Sequence, residues 1–213
     1  MLRPALLLCC FLPCLTYAQV NSKGTFQVGF ALSGGGHATR FENSFKVLGV
    51  TVKNSSEDGA VTVSTPVDFQ LGLSDRFSLG LIIEPGRYID SAGTNPNAFF
   101  LFSLSPRFYI VNREHVALFI HADLGLSALR IGDVRNGTRT FDDSYAGGHF
   151  RLGTQFQYYF GKTFGLNAGI KLASHSMKWR DRDPEDPLFE ALDYEATLRT
   201  TGVQIQLGAQ VRF

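Results

Sequence analysis

The chain has 213 residues, with 20 lysines and arginines against 19 aspartates and glutamates and a formal net charge of +1. A balance this even excludes the basic excess of a nucleic-acid binder. Its three cysteines, Cys9, Cys10 and Cys14, all fall in the first fourteen residues, so the remainder has no disulfide and no cysteine metal ligand.

Residues 1–18 combine Arg3, an apolar run of about 11 residues and a small-x-small ending at Thr16-Tyr17-Ala18. This reads as a cleavable secretory signal, because a helix that spans a bilayer needs roughly 20 apolar residues. The residues before the cysteines, Leu8, Cys9 and Pro13, are not the small pair of a lipid-attachment site. The expectation is a signal over 1–18 and one domain over 19–213, since no Pro-rich, Ser-rich or highly charged linker divides the rest.

From residue 24 onward the apolar residues recur with a period of two, and no stretch keeps helical spacing. The first strand, near 24–33, puts Phe26, Val28, Phe30 and Leu32 on one face and Thr25, Gln27, Gly29 and Ala31 on the other. A second, near 60–73, alternates from Val61 to Leu73, and a tight turn at 74–76 leads to a third with Phe77, Leu79, Leu81 and Ile83. The fourth carries Phe100, Phe102, Leu104, Phe108 and Ile110, and the fifth Val116, Leu118, Ile120, Leu124 and Leu126. Phe150, Leu152, Phe156, Tyr158 and Phe160 mark the sixth, Phe164 to Leu172 the seventh, and Val203 to Phe213 the eighth. Short turns near 74, 112 and 162 alternate with loops expected at 34–59, 85–97, 132–145 and 178–193. An even strand count with one smooth end and one elaborate end places both termini on the short-turn side.

The composition of the second face separates a membrane barrel from a soluble one. A soluble barrel needs charge on its outer face. Here the polar face holds Gly165, Asn167, Gly169, Gln204, Gln206, Gly208 and Gln210, which suit a narrow lumen. The other face is a Leu, Val, Ile and Phe band that would aggregate in water and is required in lipid. Aromatics gather toward the strand ends, Phe77, Phe108, Tyr109, Phe160, Phe164 and Phe213 at the short-turn end and Phe99, Phe100, Tyr145, Trp179 and Tyr194 near the long loops, as two girdles.

The final strand ends Gln210-Val211-Arg212-Phe213, with a terminal aromatic and apolar residues at every second position before it. This resembles the C-terminal assembly signal of bacterial outer-membrane barrels. With the signal segment and eight alternating strands, the chain resembles the OmpA- and OmpX-type small barrels, including the porin-family proteins of Bacteroidota. The resemblance implies an all-β, eight-stranded antiparallel up-and-down transmembrane barrel in the outer membrane of a Gram-negative cell, with periplasmic termini. It further implies recognition by the barrel assembly machinery through Val211 and Phe213, and contact with outer-membrane lipid and lipopolysaccharide. No peptidoglycan-binding domain is expected after Phe213.

Some small barrels act on lipid A, so residues able to form a catalytic site need weighing. Ser174, His175 and Ser176 are adjacent, and neighbours on a strand point to opposite faces, which separates each serine from the histidine. His121 and Asp123 share the lumen face without a serine beside them. No enzyme activity and no cofactor are expected. Gly34-Gly35-Gly36 lacks the Lys-Ser/Thr of a phosphate loop and reads as the start of a flexible loop. Asp181, Asp183, Glu185 and Asp186 could hold a divalent cation, but Arg180 and Arg182 interleave and a calcium-loop glycine is missing, so no metal site is assigned. Asn54-Ser55-Ser56 and Asn136-Gly137-Thr138 match a glycosylation pattern that is common by chance.

Extending the alternation puts Asp68, Glu84 and Asp123 on the lumen face with Arg107, Arg151, Lys171 and His121, three acids against three permanent bases. The expectation is a charge network that plugs the lumen, since eight strands leave room only for side chains. The alternative is that these groups line a narrow wet channel for small solutes. The plugged reading implies a structural or surface-interaction protein whose long loops meet an extracellular partner.

Overall fold

The computed structural model describes residues 19–47, 50–91, 96–136, 139–183 and 194–213. The signal expected over 1–18 lies outside them, as do Glu185 and Asp186. The described chain is all-β, with nine strand segments in one antiparallel sheet: β1 (Phe26–Val47), β2 (Val50–Ser64), β3 (Val67–Ser74), β4 (Phe77–Asp90), β5 (Asn97–Asn112), β6 (Val116–Asn136), β7 (Arg139–Tyr159), β8 (Phe164–Asp183) and β9 (Glu195–Arg212).

Nine segments make eight strands. Pro66 has no N–H to give to the ladder, and the break between β2 and β3 falls at Thr65-Pro66. The register continues across it, with Phe30 opposite Val67 and Ser33 opposite Ser64 on β1, and Ile83 opposite Val67 and Gly86 opposite Ser64 on β4. β2 and β3 are therefore two halves of one strand. Pairing of β1 with β9, from Gln27–Arg212 to Ser44–Glu195, closes the sheet. Phe26 and Phe213 exchange backbone hydrogen bonds of 3.2 and 2.8 Å at the seam's lower end, so the first and last strands are locked together.

The short turns lie where the sequence puts them, between β3 and β4, β5 and β6, and β7 and β8. The long connections differ from expectation. Residues 34–47 and 50–59 are not a loop but the outer half of a β1–β2 hairpin, paired from Ser33–Ser64 to Val47–Val50. β6 and β7 likewise pair out to Asn136–Arg139, and β8 continues to Asp183. Polar alternation on both faces hid these extensions, because beyond the lipid neither face of a two-stranded ribbon has to be apolar. Gly34, Gly35 and Gly36 stand inside β1 and not at a flexible loop. Gly35 faces inward, where a Cβ would come within 2.5 Å of the Val203 carbonyl oxygen and 2.6 Å of Gln204 Cγ.

The period of two sorts the side chains. Leu32, Leu126, Phe156, Leu172, Ile205 and Leu207 are among the exposed residues that form the outer band, while Gln70, Gln155, Gln157, Gln204 and Gln210 are buried inside. An apolar exterior around a polar interior is the inverse of a water-soluble domain and matches hydrocarbon as the solvent.

Candidate functional site

The lumen charges meet in two groups. On the β3–β5 side the Arg107 guanidinium pairs with Asp68, whose Oδ1 also accepts a 3.0 Å hydrogen bond from Gln70 Nε2. Gly80, on the strand between them, makes this possible, since a Cβ there would lie 2.2 Å from Gln70 Nε2. Arg107 also stacks over the Phe119 ring, 4.7 Å from its centroid.

The second group spans the barrel. Asp123 and Arg151 are cross-strand partners on β6 and β7. Arg151 reaches over the lumen to Glu84 on β4, Nη1 to Oε2, at 2.5 Å. Its Nη2 lies 3.1 Å from Asp123 Oδ2, and Lys171 Nζ on β8 lies 3.6 Å from the same oxygen. These last two are ion-pair contacts and not hydrogen bonds. Asp123 Oδ1 is better satisfied, accepting hydrogen bonds from Ser105 Oγ at 2.7 Å and from the His121 Nδ1 side of the ring at 3.0 Å. Ser64 Oγ donates to Glu84 Oε1 at 2.6 Å. Glu84, Asp123 and Arg151 are fully buried and Lys171 nearly so. Room for Lys171 and His121 comes from Gly153, where a Cβ would stand 2.7 Å from His121 Nε2 and 3.0 Å from Lys171 Cγ.

Polar and charged side chains are only the middle of what fills the lumen. Below them Tyr109, Phe119 and Tyr159 pack with Ala117 and Val20 into a fully buried aromatic layer. Residues 19–25 form a strap beneath it. Val20 N donates to Arg113 O at 3.0 Å, Asn21 Nδ2 to Ser74 O at 2.7 Å, Arg212 Nη1 to Gln19 O at 2.8 Å and Gln27 Nε2 to Val20 O at 3.2 Å. The β3–β4 and β5–β6 turns and the final strand are thus tied to it.

Above the charges stand three histidines. His37 Nε2 lies 2.9 Å from Thr62 Oγ1 and His149 Nε2 2.8 Å from Ser103 Oγ. The His175 ring sits 5.4 Å from that of His149 and 6.1 Å from that of His37. Among the described residues no three His, Cys, Asp or Glu side chains have the geometry of a metal site. Higher still, Tyr88, Phe99, Leu101, Leu129, Tyr145, Met177 and Leu198 form a second apolar core inside the barrel.

Five girdle expectations are corrected here, since Trp179 and Tyr194, half-buried, pack against the upper inner core. Phe99, Tyr109 and Tyr145 point into the lumen and not toward lipid, being 4%, 1% and 4% exposed. Strand position alone suggested a girdle; the parity of each residue along its strand decides the face. The inner apolar layers do have a signal in the sequence. In Ala98-Phe99-Phe100-Leu101-Phe102 the apolar residues are consecutive, which on a strand means both faces are apolar.

The remaining candidates are apart from this interior. Ser174 and Ser176 are exposed on the outer face while His175 is buried in the lumen. Asp181 and Asp183 belong to β8, and between them Arg182 turns inward to Asp143, with Nε–Oδ1 and Nη2–Oδ2 both 2.7 Å. That bidentate bond raises the guanidinium pKa above its ordinary value. Asn54 lies in β2 and Asn136 in β6, while residues 137 and 138 fall outside the described chain.

A closed antiparallel sheet with a lipid-compatible exterior and a side-chain-filled interior defines a small transmembrane β-barrel. Its fold is that of the outer-membrane barrels. The crystal structure of the outer membrane protein OprG from Pseudomonas aeruginosa matches with a TM-score of 0.58 at 9% identity, over 91% of this chain and 97% of that one. The solid-state NMR structure of the outer membrane protein AlkL in DMPC bilayers matches with a TM-score of 0.53 at 14% identity, over 91% and 92%. No family model matches the chain, and no curated protein does.

Proposed function

We propose that this chain is an integral outer-membrane protein with a sealed lumen, acting as a structural or surface-interaction barrel and not as a pore. The observation that carries the reading is the sequence of layers inside the barrel: aromatic lid, paired charges, histidines and apolar core. A water path would have to break each of them in turn. The asymmetry of the connections supports an orientation with both termini in the periplasm and the long hairpins outside, where they would meet an extracellular partner. On this reading residues 1–18 are removed on export, and the last strand, with Val211 and Phe213, is what the assembly machinery recognises.

Conductance in planar bilayers tests the sealed lumen. The expected result is no stable single-channel current from the unmutated protein at voltages that leave the bilayer intact. Steady, large currents would overturn the reading in favour of a narrow solute channel.

A further inference from the structure

We propose that the outer wall carries a docking row for an anionic lipid whose headgroup bears more than one phosphate, built by Arg87, Arg130 and Arg180. The inference rests on the proposed orientation only for which leaflet supplies the lipid, since the groove itself belongs to the wall.

The argument starts from register. Cross-strand partners Val63, Arg87, Ala98, Arg130 and Ser144 form one row of outward residues across β2, β4, β5, β6 and β7. At β8 the register slips by one residue between Ser144 and Tyr145, and Arg180 is the extra residue, exposed beside Asp181. Cations and small residues therefore alternate along the row. Arg87 and Arg130 are two strands apart, about 10 Å at ordinary strand spacing, with Ala98 leaving the space between them open. Such spacing lets the two guanidiniums hold two separate phosphate groups side by side.

The row below it is apolar, and small except at Phe100. Pro85, Phe100, Ala128 and Ala146 are cross-strand neighbours, and Thr65 N donates to Pro85 O at 2.9 Å at the row's start. The two rows flank a groove of about 840 Å³ that also takes in the backbone between them. One step lower, Ile83, Phe102 and Leu126 belong to the exposed apolar band. Outward residues on a strand are roughly 6.6 Å apart, so the guanidiniums stand just above the hydrocarbon, at headgroup depth, over a trough for acyl chains. Lys178 adds a further outward cation beside Ala146.

The charges are available for such a ligand. Among the described residues neither Arg87 nor Arg180 forms an ion pair. Arg130 is held by Asp142, at 3.2 and 3.0 Å from Nε and Nη2, and approaches Asp183 at 3.6 Å, but its side chain is 56% exposed. A planar guanidinium has five donors, and two contacts to Asp142 leave others for a phosphate.

The test uses the full barrel in nanodiscs of phosphatidylcholine containing a small fraction of diphosphorylated lipid A, read by native mass spectrometry after release. The unmutated protein should retain diphosphorylated lipid A at least tenfold better than its dephosphorylated form or phosphatidylglycerol. The double variant Arg87→Gln/Arg130→Gln, shown to be folded by its unheated gel mobility, should lose that preference, and Arg180→Gln should weaken it. Equal retention of phosphatidylglycerol, or unchanged lipid A retention by the folded double variant, overturns the proposal. Protease access to the β1–β2 hairpin on intact cells separately tests the orientation, so failure of that reading is distinguishable from failure of the lipid site.

Discussion

Asp123 is the residue on which the buried charges turn. It faces two cations, Arg151 at 3.1 Å and Lys171 at 3.6 Å, whereas Asp68 is paired with Arg107 alone. Removing one partner of a buried pair leaves the other uncompensated, at a typical cost of about 3–5 kcal/mol. Asp123→Ala should therefore destabilise the barrel by at least that amount in urea unfolding from lipid vesicles, and by more than Asp68→Ala. The double replacement Asp68→Leu/Arg107→Leu should cost less than Asp68→Ala, because an apolar pair leaves no buried charge. A double variant as unstable as the single one would show that shape and not charge matters at that site. The sequence made these residues legible through parity alone: three acids and three bases on a face otherwise rich in Gly, Ser, Thr, Asn and Gln. It did not indicate who pairs with whom. Arg151 and Glu84 are on β7 and β4, three strands apart around the ring, and only the curvature of the closed sheet brings them to 2.5 Å.

At the scale of elements, the last strand has two roles that can be separated. Phe213 is 73% exposed, its ring 6.3 Å from that of Phe26, while its backbone closes the seam with β1. A side chain that faces lipid contributes little to a fold already in detergent. Phe213→Ala should therefore refold in detergent nearly as well as the unmutated protein and still assemble poorly in cells, measured as the folded fraction in isolated outer membranes. An equal loss in both settings would reduce Phe213 to a packing residue. The outer hairpins show the opposite limit of sequence reading. Residues 34–59 were legible as a connection but not as strands. Their order comes from pairing with a neighbouring strand and not from an apolar face, and pairing has no local signature.

For the molecule as a whole, the continuous ladder predicts a specific behaviour on gels. With β1 bonded to β9 there is no free edge within the membrane-spanning part, so detergent has no starting point for unzipping. The unheated protein should migrate differently from the boiled one, and identical migration would count strongly against a closed barrel. The sequence by itself determined the strand number, the short turns and the lipid-facing band, because all of these follow from a period of two and from which residues tolerate lipid. Tertiary structure alone decided what fills the barrel. The strap at 19–25, the aromatic lid of Tyr109, Phe119 and Tyr159, and the upper core around Leu101 and Met177 are assembled from strands far apart in the chain. A residue's parity says that it points inward; what it meets there depends on the curvature and stagger of a closed sheet, which set the side chains that share a level.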